Sequence, residues 1–428
     1  MRAEMKWLIT VFIAWGSLMF FPGPAGAEAG GQADTDRLLE HVEKLSTAPR
    51  IPATESEFRA VVYIEEWLRI FGYQTKLLPF SYYVYTEPKQ ISLQIPEIRG
   101  KTWAPRSVLF GPAGEATGAV LDVGTGTQQD FARADIEGKI VFVRPGGMSE
   151  AEKVRHAAAA GAKGIILTQG ANAPRPSLGG PLDMHVPVLA VSPAEGEQLG
   201  QLLQKGEKLT ATLKVSGASI IKKTSYNLTA ELKPNNGNTG QIVLVAAHHD
   251  ASFAAREEND ASGIAVLLET ARLLTAQQRD TEVRFVSLGA ASDGGRGLDD
   301  YVRSLTDAER TKIAAFLYLG NVRQQDGELA VYTSNGKRNL AADLLDAKGA
   351  GFSSAAPQEV LSRLGRIAQA NIPNAVQIVR VAASQSGKNV PEKKSDGEKL
   401  TDAVRTVVDA ITTMTDPGSG PYPLPDSR

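Results

Sequence analysis

The stretch Ile242-Val243-Leu244-Val245-Ala246-Ala247-His248-His249-Asp250 decides how this chain is read. Its opening run of apolar residues is too short for an ordinary helix. It suits a strand buried on both faces, the kind found inside a helix-covered sheet. In open α/β sheets the reactive groups collect where strands end, at the carboxyl edge. The polar triplet His248-His249-Asp250, just past the strand, is therefore the first place to look for chemistry.

Outward from this strand, helical and strand patterns alternate. Downstream come a helix over 260–277, a strand over 282–290, a helix near 299–304, and strands at 314–319 and 328–333. Helices around 338–347 and 357–370, a strand at 375–382 and a last amphipathic helix carrying Leu400, Val404, Val407, Val408 and Ile411 complete the series before Pro417. Upstream, Leu38, Leu39, Val42 and Leu45 recur at helical spacing, as do Val61, Ile64, Leu68 and Phe71. Pro49-Arg50-Ile51-Pro52 separates the two helices, and strands at 74–80 and 91–96 follow. This alternation predicts an α/β fold: a three-layer, mostly parallel sheet with helices on both faces.

The segment 107–217 has a different rhythm. Ala119–Gly124, Gly138–Val143, Ile165–Leu167 and Val186–Val191 read as short strands, with helices over 150–160 and 194–204 between them. That pattern makes a small, self-contained α/β unit inserted in the larger fold. The N-terminus carries Arg2 and Lys6, an apolar run from Trp7 to Phe21, then Ala25-Gly26-Ala27, the layout of a secretory signal peptide. The run falls short of the ~20 residues a bilayer span needs. The expected organisation is a signal peptide over 1–27, parts of the larger domain at 28–106 and 218–417, the insert at 107–217, and a proline-containing disordered tail at 418–428. A secreted, extracellular or periplasmic protein with no membrane span follows.

The chain has no cysteine. That excludes disulfides, thiolate metal sites, a cysteine nucleophile and a lipoprotein anchor. A net charge of -2 gives no electrostatic ground for nucleic acid as a partner. Ser262 and Ser292 lie outside any Gly-x-Ser-x-Gly turn, which argues against a serine hydrolase. Asn227-Leu228-Thr229 matches a glycosylation sequon, but its context suits the start of a buried strand. Tyr82, Tyr83 and Tyr85 are expected to pack at the junction of the two domains.

The loops past the other strands hold Glu257-Glu258-Asn259-Asp260-Ala261-Ser262-Gly263, Ala290-Ala291-Ser292-Asp293-Gly294-Gly295-Arg296-Gly297 and Leu319-Gly320-Asn321. In order and spacing these motifs resemble the secreted di-zinc exopeptidases, the group of bacterial aminopeptidases, glutamate carboxypeptidase and the transferrin receptor ectodomain. The insert resembles a protease-associated (PA) domain through Asp130-Phe131, Gly138-Lys139-Ile140-Val141, Glu152-Lys153-Val154, Gly161-Ala162-Lys163-Gly164 and Val186-Pro187-Val188.

The resemblance implies a role for each position. It places His248 at the first zinc-ligand position and Asp250 at the carboxylate that supports it. Asn259 falls where a carboxylate should bridge two metals, Ala291 at the general base, Ser292 at the adjacent ligand glutamate and Gly320 at a ligand aspartate. No histidine follows His249, so a C-terminal histidine ligand has no counterpart. A catalytic zinc ordinarily takes three protein ligands and an open position, and loss of a general base costs ~10²–10⁴ in rate. Asp260 remains a candidate donor, although an N-cap of the following helix explains it equally, and Asp293 reads as a turn residue. His248 and His249, adjacent at a strand exit, should point to opposite faces. His248 and Asp250 are then expected to persist as a hydrogen-bonded pair. The expectation is an exported pseudopeptidase with no cofactor, binding peptides or a partner protein through the PA domain and the cleft. The alternative is an active zinc aminopeptidase with a rearranged metal site.

Overall fold

The computed structural model describes residues 31–170, 172–251, 261–323, 325–382, 394–418 and 420–422. The expected signal peptide and the candidates Glu257, Glu258, Asn259 and Asp260 lie outside the described residues.

Two helices open the fold, α1 (Thr35–Ser46) and α2 (Glu55–Ile70). Asp34 caps α1 by accepting from the Arg37 N–H, which satisfies one of the helix's orphan donors. β1 (Gln74–Thr86) then runs much further than the expected 74–80. The insert comprises β2 (Gln90–Gln94), β3 (Arg106–Ser107), β4 (Gly114–Asp122), α3 (Gln128–Arg133), β5 (Ile140–Val143), α4 (Glu150–Ala159) and β6 (Gly164–Thr168). It closes with β7 (Val188–Val191), α5 (Pro193–Gln204) and β8 (Thr210–Ser216). Capping boxes at Thr127, Ser149 and Ser192 start its three helices.

The chain returns through β9 (Ser219–Leu232), then β10 (Ile242–His248), α6 (Ser262–Leu274), β11 (Glu282–Leu288), α7 (Arg296–Ser304) and α8 (Asp307–Arg310). It ends with β12 (Ile313–Leu319), β13 (Leu329–Tyr332), α9 (Leu340–Ala347), β14 (Gly351–Phe352), α10 (Gln358–Gln369), β15 (Ala375–Arg380) and α11 (Asp396–Thr415).

These strands form two sheets. The larger has the order β1-β9-β11-β10-β12-β15-β13-β14. Its middle, β11-β10-β12-β15, is parallel. The flanks are not: β1 with β9, β9 with β11, and β13 with β15 run antiparallel. The sheet is therefore mixed, parallel through its centre and again between β13 and β14. The β1–β9 flank has mixed polar and apolar patterning, whereas the buried runs of β10 and β12 occupy the centre.

Alternate residues of the central strands enter different cores. Val243, Val245, Ala247, Leu317 and Leu319 pack with α1, α2, α6, α9 and α11. Leu244, Ala246, Phe316 and Tyr318 pack with α7 and α10. Helices thus cover each face, and every carboxyl end of the parallel strands opens toward one rim.

The smaller sheet has the order β2-β8-β4-β5-β6-β7-β3. Because β2 pairs with β8 inside it, this unit opens at Gln90, earlier than the expected 107. The Gly-poor, half-exposed β2 gave no sign of its partner, which lies more than a hundred residues on. At the other end of the chain, Tyr422 is tied to Gln241 by hydrogen bonds of 2.7 and 2.8 Å, so the tail is anchored at that point rather than free.

Candidate active-site cleft

A cleft of about 760 Å³ lies at the carboxyl rim of the parallel strands. His248, Asp250, Ala291, Ser292 and Gly320 all border it, so the fold brings together the described residues that the resemblance placed at the zinc site. Arg363, Glu359, Gln377, Val379 and Arg380 border it as well.

Local packing explains why these loops sit where they do. Ser262 Oγ at the start of α6 accepts from the Val322 N–H at 3.0 Å, which pins the loop after β12. A Cβ on Gly263 would lie 2.9 Å from both the Leu319 and Gly320 carbonyl oxygens, so only glycine lets the helix approach that strand end. The N-cap position of α6 belongs to Ala261, and no side chain bonds there. That corrects the expected cap, which was Asp260; the helix starts one residue later than such a cap requires.

His248 and His249 point to opposite sides, as their adjacency predicts. His248 Nδ1 is 3.3 Å from Tyr318 Oη, and the two rings stack with centroids 6.3 Å apart. Burial, followed by the charges of Arg363 and Arg50, drives its pKa down from 6.5 to about 3. The imidazole is neutral in a neighbourhood that resists added positive charge. His249 turns into the protein, with Nδ1 2.8 Å from Ser287 Oγ and Nε2 3.6 Å from Glu57 Oε1.

Asp250 departs from expectation. It does not pair with His248. Its Oδ1 accepts from the Ala291 N–H at 2.7 Å, and its Oδ2 from the Ser292 N–H at 2.9 Å and the Ser292 hydroxyl at 2.7 Å. Asp250 is 1% exposed, and a buried carboxylate binds most strongly where several N–H groups converge. The loop after β11 offers two in succession, which the single imidazole cannot match. Ser292 is consequently occupied as a donor to Asp250.

Glu57 supports the same loop from beneath. This fully buried residue of α2 accepts from Ala53 N at 2.7 Å, Ser225 Oγ at 2.7 Å and Ala290 N at 3.2 Å. Ala290 itself has a φ of 49°, in the left-handed region that costs a non-glycine residue energy. Asp293 is more than a turn residue. Its carboxylate accepts from Tyr82 Oη at 2.6 Å and from Lys223 Nζ at 2.9 Å, tying the β1–β9 ribbon to the cleft loop. Tyr85 packs against Phe110 of the insert with ring centroids 5.6 Å apart and the rings tilted by 43°, as expected for a residue at the junction. Asn227 is buried, and its amide bonds Gly297 O and Gly289 N, so the sequon serves the fold.

Gly320 is closely surrounded. A Cβ there would stand 2.6 Å from Val379 Cγ1 and 3.0 Å from Gln377 Nε2. Sequence reasoning passed over Arg363, Gln377 and Tyr318. Arg363 follows Glu359 by four positions on α10 and reads locally as an ordinary surface ion pair; its place in the cleft depends on β15 and β12, far away in sequence.

The solved aminopeptidase from Aneurinibacillus sp. strain AM-1 is 30% identical to this chain. The two superpose with a TM-score of 0.59, covering 92% of this chain and 96% of that one. Residues 227–368 match the model of peptidase family M28, and residues 109–199 that of the PA domain. The chain belongs to peptidase family M28 and carries an inserted PA domain. A zinc aminopeptidase from Bacillus subtilis superposes with a TM-score of 0.54 at 25% identity, covering 91% of this chain and 97% of that one. Among curated relatives, aminopeptidase YwaD of Bacillus subtilis (strain 168) is 30% identical over 315 residues, which is 70% of this chain and 65% of that protein. An aminopeptidase of Pseudomonas aeruginosa is 29% identical over 321 residues, 58% of its length. The matched segment thus spans less than two thirds of these curated relatives.

The M28 relatives named as zinc enzymes raise the question of whether this cleft fits zinc. At the described positions it does not. Among the described residues no three His, Asp or Glu side chains converge on a point where a metal could sit. Ala291 and Gly320 carry no donor, and both oxygens of Asp250 are engaged. His248 alone offers an imidazole, and one imidazole falls short of the three protein ligands a catalytic zinc requires.

Proposed function

We propose that this chain is an exported M28 member without peptidase activity, which binds peptides or a partner protein in its cleft and on its PA domain. The observation that carries the reading is the packing at Gly320. The resemblance calls for an aspartate ligand there, yet Val379 and Gln377 fill the space its side chain would need. A position that had merely lost a ligand would keep room for it. No histidine follows His249 to supply a ligand from the C-terminal part of the chain. The sheet, its helices and the cleft persist around these changes, as a binding role requires. The PA domain adds a second surface, since such domains are often protein- or peptide-binding modules. The relatives are named as aminopeptidases, and hydrolysis by this chain is the competing reading.

The test is zinc bound per chain, measured on residues 28–428 after dialysis against trace zinc, with aminopeptidase assays on the same preparation. Below about 0.1 equivalents, with no turnover, is expected for a site lacking the ligand set. One or two tightly held equivalents, with hydrolysis abolished by His248→Ala, would refute the proposal.

A further inference from the structure

Arg363 is the cleft residue that the missing zinc ligands leave unexplained. Its guanidinium lies 4.7 Å over the Tyr318 ring, and its side chain is only 16% exposed. It donates to Gln377 Oε1 at 3.0 Å and to Glu359 Oε1 at 2.7 Å. Those two bonds occupy two of the five N–H donors a guanidinium carries. The group borders both the main cleft and an adjoining pocket of about 300 Å³.

The charges around it do not cancel it within the cleft. Both oxygens of Asp250 are met by the Ala291 and Ser292 donors. The Glu359 side chain is 81% exposed, so water screens its charge. Arg380 stands close behind, giving its donors to the carbonyls of Val322, Gly327 and Lys399. Gln377 adds direction. Because its Oε1 accepts from Arg363, its Nε2 must be the end beside Gly320, and that nitrogen has no hydrogen-bond partner among the described residues. Gln377 is 2% exposed. A rigid planar fork and an adjacent amide donor, held by stacking and packing, match the two oxygens of a carboxylate.

We propose that the cleft recognises the carboxylate of a peptide, seated on Arg363 and the amide of Gln377, at the rim where the relatives' catalytic chemistry is expected. This deepens the binding reading above and rests on it. The site has exchanged a demand for a cation for a demand for an anion.

Calorimetric titration of residues 28–428 in zinc-free buffer tests it. Three probes suffice: an N-acetylated tripeptide with a free C-terminal carboxylate, the same peptide amidated, and an amidated analogue carrying one glutamate. The free acid should bind about tenfold or more tightly than its amide, the scale of a charge-assisted contact. Affinity regained by the glutamate analogue would assign recognition to an acidic side chain as well as to the C-terminus, and supports the same site. Arg363→Lys keeps the charge but not the fork and should weaken the acid about tenfold. Gln377→Glu keeps an acceptor for Arg363 while adding an anion, and should abolish binding, with thermal melts checking that both variants fold. Equal affinity for acid and amide, binding unchanged in both variants, or no binding of any probe overturns the proposal. Zinc uptake with hydrolysis would overturn the pseudopeptidase reading instead, and it is measured separately.

Discussion

Replacing Gly320 by alanine should destabilise the protein, and deleting the Val379 side chain should reverse the sign of that effect. Gly320 does not have a positive φ, so its backbone accepts alanine without strain. On backbone entropy alone, Gly→Ala at such a position stabilises by about 0.4–1 kcal/mol. Against this stands the Cβ placed 2.6 Å from Val379 Cγ1, in a region where real Cβ contacts do not occur. Val379 is β-branched and sits in a strand, so its χ1 has little freedom to yield. Overpacking of this kind costs about 1–3 kcal/mol, and Val379 borders the open cleft, which favours the lower half of the range. The net expectation for Gly320→Ala is a loss of about 0.5–1.5 kcal/mol. In the Val379→Ala background the offending methyl is gone, and Gly320→Ala should become neutral or stabilising by up to about 1 kcal/mol. Urea unfolding of the four proteins in the cycle measures the coupling directly. If Gly320→Ala costs nothing, or costs the same with and without Val379, the space at this position is not filled as described. The chief support for a lost ligand would then be gone.

Two further expectations concern buried polar groups. Asp250→Ala leaves the Ala291 and Ser292 N–H groups unpaired beneath the cleft and should lower stability by about 2–4 kcal/mol in urea unfolding, because a buried donor without a partner costs its full desolvation. His41 is buried, with Nδ1 2.7 Å from Tyr63 Oη, and burial followed by the Arg37 charge lowers its pKa from 6.5 to about 4. With the folded value depressed, the unfolded chain binds the extra proton first. Stability from this group is therefore complete above pH 6.5 and falls by up to about 3 kcal/mol as pH drops toward 4. His41→Gln should flatten that part of the stability–pH curve, and an unchanged slope would remove His41 from the account.

The alternation of helix and strand could be read from the sequence wherever burial was complete on both faces. β10 and β12 are uninterrupted apolar runs, and α11 shows its buried stripe of Leu400, Val404, Val407 and Ile411. The flanks could not be read in the same way. Ser219-Ile220-Ile221-Lys222-Lys223-Thr224 in β9 is largely exposed and carries little periodic signal, and its strand character comes from pairing with β1. At the cleft, the strand-exit rule located His248, Asp250, Ala291, Ser292 and Gly320. The choice Asp250 makes between an imidazole and two backbone N–H groups depends on how two loops meet in space, which spacing cannot express. The same holds for Arg363, whose helical neighbour Glu359 is visible in sequence while Tyr318 and Gln377 are not.

The β1–β9 ribbon pairs Gln74 with Glu231 at one end and Thr86 with Ser219 at the other, without a break in register. The insert therefore leaves and re-enters through neighbouring backbone positions, and topologically it is the tip of a hairpin. For an unstructured chain, lengthening such a tip from four residues to about 130 costs only about 3 kcal/mol in closure entropy, since the cost grows with the logarithm of length. A unit that folds with its ends already adjacent costs less. Lineages can thus acquire, exchange or discard this unit without redrawing the larger sheet, and a two-residue turn joining Thr86 to Ser219 would leave the peptidase-like scaffold connected as before.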